Sequence, residues 1–161
     1  MSRTLALISI ALAAGCRAPA WQGPLAAEAE AVVPASTRLE CEDWRFASPA
    51  PHDTAAHGPF RSCQHASGDT TLYLMLGQDD YVVWVGRTWR PLEGQQAAYD
   101  QLTRTLEEAH GPAHLCPRGD EVSVWEHRRW QKRGYSLGVA RVDRDHLTLN
   151  WTLGPIICHT G

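Results

Sequence analysis

Eight histidines and five cysteines are the residues of this 161-residue chain best suited to chemistry. Acid–base or nucleophilic catalysis needs such groups within hydrogen-bond reach of one another. His65, Asp69, His110, Asp120, His127 and Asp145 all fall near the ends of predicted elements, but nothing in their spacing forces them together. The chain has no Gly-x-Ser-x-Gly elbow, no His-Glu-x-x-His, no phosphate-binding loop and no dinucleotide fingerprint. No catalytic residue and no cofactor is therefore assigned. For a metal site there is no Cys-x2-Cys pair. His110 and His114 have a ligand-like separation, but Gly111-Pro112 between them breaks any helix. His114 and Cys116 would share a metal only with the cysteine reduced, so no metal ligand is assigned either. A hydrolase using loop histidines and aspartates, or a metal-handling protein, stays as the alternative to a non-catalytic binding module.

The cysteines read better as cross-links. Setting Cys16 aside leaves Cys41, Cys63, Cys116 and Cys158. An even remainder in an exported chain implies two disulfides. Four cysteines allow three pairings, and loop length favours neighbours: Cys41 with Cys63, Cys116 with Cys158. Each would stabilise by about 3–4 kcal/mol through loop closure.

Export is written at the N-terminus. Arg3 precedes an apolar run from Leu5 to Ala14, broken only by Ser9. A bilayer span needs about twenty apolar residues, so this run has the length of a signal-peptide core instead. It ends in Leu12-Ala13-Ala14-Gly15-Cys16. That string resembles the lipobox of bacterial lipoproteins. The leucine stands one place earlier than usual in that class, and Ala13 takes its position. The resemblance implies cleavage before Cys16 and a diacylglycerol on its sulfur. Two or three acyl chains hold a protein to a membrane where one does not. It implies a bacterial cell-envelope location, with the membrane itself as partner. Arg17 stands where an aspartate would favour inner-membrane retention, which points to the outer membrane and the periplasmic side.

The remaining elements must position whatever the protein binds. Residues 16–36 are rich in Ala, Pro and Glu and read as the lipidated cysteine plus a flexible tether, after a signal peptide over 1–15. Residues 37–161 read as one disulfide-stapled domain. Strands are predicted over 39–46, 60–65, 70–76, 81–89, 122–130, 135–142 and 147–153 from alternating apolar residues. A helix is predicted over 94–110, where Tyr99, Leu102, Leu106 and Ala109 form one stripe and Gly111-Pro112 a stop. The order from Thr70 is β-β-α-β-β-β, after one or two earlier strands. This is an α+β pattern: a two-layer sandwich of a largely antiparallel sheet with one main helix, or else a small, partly closed barrel. The spacing Tyr99-x2-Leu102-x3-Leu106-x4-Gly111-Pro112-x3-Cys116, followed by Trp125, resembles small envelope lipoproteins and transfers no active site.

Two surfaces stand out for binding. Tyr73 and Trp84 fall on the sheet face opposite Leu72, Leu74 and Val85, and Trp125 extends that patch. Arg128, Arg129, Lys132 and Arg133, around Trp130, make a basic hairpin tip suited to an anionic headgroup or acidic partner. The partner expected for these surfaces is a protein or small molecule of the envelope. Fifteen Lys and Arg against eighteen Asp and Glu give a net charge of -3, which argues against nucleic acid. The four domain cysteines should be unreactive to thiol reagents until reduced, and reduction should add the mass of two hydrogens per disulfide. Four titratable thiols in the native protein would contradict this.

Overall fold

The computed structural model describes residues 20–44, 59–116 and 124–156, with the backbone only for 44 and 124–127. Cys16, Asp120 and Cys158, and the side chains of Trp125 and His127, lie outside the described residues. The elements in chain order are helix α1 (Ala26–Val32), β1 (Glu40–Trp44), β2 (Phe60–Ser67) and β3 (Thr70–Leu76). One turn of 3-10 helix (Gln78–Asp80) leads to β4 (Val82–Trp89), then α2 (Gln95–His110) and β5 (His114–Cys116). The chain continues through β6 (Val124–Gln131), β7 (Tyr135–Val142) and β8 (His146–Leu153). The eight strands form one sheet in the order β1-β2-β3-β4-β8-β7-β6-β5. Every neighbouring pair is antiparallel. The sheet does not close: β1 and β5 are its edges, so no barrel forms.

Alternation decides which face is inside. Leu74, Val85, Trp151 and Leu137 stand in one register row across β3, β4, β8 and β7. Arg87, Leu149 and Val139 make the next row on the same face. On α2, Ala98, Tyr99, Leu102 and Leu106 pack against Trp130, Leu137, Val139, Leu147 and Leu149. Leu25 and Ala29 of the α1 segment pack against Cys63, Leu74, Leu76, Val82 and Val85. Trp151 touches both clusters, so the two helices share one face of the sheet.

Polar contacts pin α2 at both ends. The Gln95 amide donates to the carbonyls of Val142 (3.2 Å) and His146 (2.7 Å). The Trp130 indole donates to the Gly111 carbonyl at 2.9 Å, and Arg128 pairs with Glu107 at 2.9 Å. The Arg128 and Arg141 guanidiniums lie 5.9 and 5.5 Å from the centroid of the Tyr99 ring, within cation–π range.

Three sequence expectations are corrected here. Residues 20–36 are not a tether: α1 lies within them, and Leu25, Ala29 and Val33 are among the most buried residues of the chain. Their i, i+4, i+8 spacing is an apolar stripe carried by small side chains, so composition hid it. Next, the basic string around Trp130 is not one patch. It runs into β6, and strand alternation sends Arg128 and Trp130 to the helix-covered face and Arg129 to the other. Trp130 is 2 % exposed and belongs to the core. Finally, β5 is a strand that the sequence reading left out, too short to show a period.

The burial of α1 makes a direct prediction. Leu25→Ala removes a fully buried side chain and should destabilise the domain by about 2–5 kcal/mol in urea unfolding. A tether residue would show no change.

Candidate functional site: a cavity beneath the N-terminal helix

The segment from Trp21 to Leu39 arches over one end of the sheet. Gln22 joins the turn between β3 and β4 by a parallel bridge to Tyr81. Its N–H donates to the Asp80 carbonyl (3.1 Å), and the Val82 N–H donates to its carbonyl (2.9 Å). Gly23 follows with φ +91°, and a Cβ there would meet the Tyr81 ring at 2.7 Å, so only glycine fits this approach. Leu25 and Ala29 then seat α1, and the Thr37 N–H bonds to the Pro34 carbonyl at 2.8 Å as the chain turns into β1.

Beneath this arch lies a cavity of about 520 Å³. One wall is Val33, Pro34, Ala35 and Leu39; the opposite wall is the Cys41–Cys63 disulfide and Leu76. Trp21, Glu30, Thr37, Arg61 and Asp80 complete it. Its lining is more apolar than polar, and its volume lies in the range of small-molecule sites, about 300–1,000 Å³. Arg61 and Asp80 form an ion pair and are both substantially exposed, so the pair contributes little to stability. Asp79 and Asp80 both have positive φ, 55° and 58°, a conformation that aspartate tolerates better than most residues. A smaller hollow of about 240 Å³ shares Arg61 and Asp80 and adds Asp43 and Asp79.

The predicted site residues fall elsewhere. Tyr73 and Trp84 do sit together on the face away from the helices, with ring centroids 5.6 Å apart, and both are half-buried. Arg128 is engaged with Glu107 under α2. Burial lowers the Arg129 guanidinium below its ordinary value. The Lys132 amine donates to His110 Nδ1 at 2.6 Å, and Arg133 is exposed in the turn. These cations are thus dispersed over two faces and a turn. The acid–base candidates are equally scattered. His65 Nδ1 lies 3.1 Å from the Arg38 carbonyl, His110 meets Lys132, and Asp145 pairs with Arg90 at 3.5 Å. Among the described residues no three His, Cys, Asp or Glu side chains are placed to hold a metal ion together. Cys116 is disulfide-bonded, which removes the free thiol that a His114–Cys116 metal pair requires. The favoured Cys41–Cys63 pairing is formed. The cavity was missed because one of its walls belongs to residues read as tether; the Leu25, Ala29, Val33 spacing was the signal that could have found it.

No family model, curated protein or solved structure matches this chain.

A side-chain bond ties α1 itself to the sheet. The Tyr135 hydroxyl on β7 donates to Glu28 Oε1 on α1 at 3.1 Å. Burial first, then the hydrogen bond and charge of Glu28, raise the Tyr135 phenol above its ordinary value of 10.0. A raised folded-state value means the contribution is complete below the unfolded value and is lost as pH rises through the folded one. Tyr135→Phe should therefore be less stable than the native protein at neutral pH. The gap should close in strongly alkaline buffer, read as converging urea midpoints.

Proposed function

We propose that this chain is a lipid-anchored bacterial envelope protein whose domain is a non-catalytic binding module, with the cavity beneath α1 as its ligand site. The cavity is the observation that carries this reading. It is roomy, mostly apolar, and open where Glu30, Arg61 and Asp80 stand. Both sulfurs in its wall are joined to each other, so neither is a free nucleophile. In this reading the fold is a two-layer α+β sandwich, with two helices over one face and the Tyr73–Trp84 pair on the other.

The location rests on the residues from Leu5 to Cys16. Among the described residues no helix is long and apolar enough to cross a membrane. Attachment in this reading runs through Cys16. The outer membrane follows from Arg17 after the cysteine.

Two experiments test the reading separately. Cys16→Ser should abolish incorporation of labelled fatty acid and move the protein from the membrane to the soluble or precursor fraction. A native protein that takes up no label would refute the anchor. For the cavity, the purified domain should enhance the fluorescence of N-phenyl-1-naphthylamine. Ala35 is exposed and lines the opening, so Ala35→Trp fills it without displacing core side chains. That variant should lose the enhancement and keep its melting temperature. Unchanged fluorescence would refute the site.

A further inference from the structure

We propose that the cavity beneath α1 takes a single linear apolar chain bearing a cationic head group. The proposal rests on the reading of that cavity as the ligand site and adds the class of its ligand.

The apolar part of the ligand is set by the two walls. Val33, Leu39 and Leu76, with the disulfide between them, present aliphatic and sulfur atoms and no buried polar side chain. Such walls hold an apolar chain by removing it from water, at roughly 25 cal/mol for each Å² buried. They give no hydrogen-bonding pattern to a polar body.

The head group is set by charge at the opening. Arg61 and Asp80 line the cavity and are paired to each other. Glu30 also lines it, on the exposed side of α1. Asp43 stands directly opposite Arg61 in the β1–β2 register, and Asp79 adjoins Asp80 in the neighbouring hollow. Two carboxylates and one guanidinium therefore line the cavity, with Asp43 and Asp79 in the adjoining hollow. Arg38 is the other cation of this stretch, lying between the lining residues Thr37 and Leu39 without lining the cavity itself. The surplus is negative. Trp21, which also lines the cavity, adds an aromatic face, which favours a cation over an anion. An anionic head would meet Glu30 and Asp80, and the one lining cation, Arg61, is already paired with Asp80.

The test compares three twelve-carbon chains, each below its micellar concentration, by isothermal titration with melting curves recorded alongside. Dodecyltrimethylammonium should bind about tenfold more tightly than dodecanoate at low salt, as expected for charges of opposite sign near an exposed acidic cluster. Raising the ionic strength should shrink the gap, since these charges are exposed. The double variant Glu30→Gln with Asp43→Asn changes two exposed side chains and should bring the two affinities to within about threefold. Dodecanoate binding as tightly as the cation, or a preference unmoved by the double variant, would overturn the cationic class. If dodecyl maltoside binds and the two charged chains do not differ, the class fails while the cavity stands. If none of the three binds, or if Ala35→Trp leaves their binding unchanged, the cavity reading fails with it.

Discussion

A sheet of eight strands has one apolar face to keep dry, and its width governs everything packed on it. Neighbouring strands lie about 4.8 Å apart, so the sheet is roughly 35 Å across, whereas one helix with its side chains covers about 10 Å. The long helix α2 dries the half of the face built by β6, β7 and β8. The other half, from β2 to β4, needs separate cover. This is why the segment before β1 cannot remain a linker: Leu25 and Ala29 bury against Leu74, Leu76, Val82 and Val85, which would otherwise be wet. The N-terminal helix is thus a consequence of the topology that sets β2, β3 and β4 on the half of the sheet away from α2.

The same geometry explains the hollow. Helix α1 has seven residues, hence a length of about 10 Å at 1.5 Å rise per residue. It reaches β4 and crosses toward Tyr135, but it stops short of the β1–β2 margin. From Val33 the chain must return to begin β1 at Glu40, and it does so as an arch through Pro34 and Thr37 and not as a packed element. An arch held at its ends leaves space beneath it. The cavity is where cover by a short helix runs out, and this is also where the exposed acids collect, because the rim of an uncovered margin is solvated.

How far the sequence disclosed this depends on the length of each signal. The stripe of Tyr99, Leu102 and Leu106 persists over four turns, and α2 appears almost residue for residue where expected. The alternation of Leu72, Leu74 and Leu76, and of Leu147, Leu149 and Trp151, placed β3 and β8 equally well. Short elements did not reach that threshold. Helix α1 spans two turns, and its inward side chain is an alanine; Leu25 and Val33 lie just beyond its ends. At β6 the signal was present but misassigned. Five cationic or aromatic residues among the six from Arg128 to Arg133 look like one patch only if neighbours share a face, and in a strand they do not. Trp130 goes down to meet α2 and Arg129 goes the other way. The cavity's walls come from segments far apart in the sequence, so the Leu25, Ala29, Val33 spacing could disclose one wall but no local pattern could show the space between them.

The disulfide completes the argument about the margin. Cys41 and Cys63 are directly opposed partners in the β1–β2 register, and they join the outermost strand to the body of the sheet. An edge strand is held by hydrogen bonds on one side only, and its inward face normally adds packing. Here that face borders the hollow, so β1 gains little from burial: Cys41, Glu42 and Asp43 are all exposed. A cross-link over a sequence separation of 22 stabilises by about 3 kcal/mol through loop closure, which is comparable to one well-buried leucine. Without it, the strand next to the cavity would be the first to leave the sheet. With it, the protein can keep an unfilled apolar space at its edge and still hold both walls of that space in register.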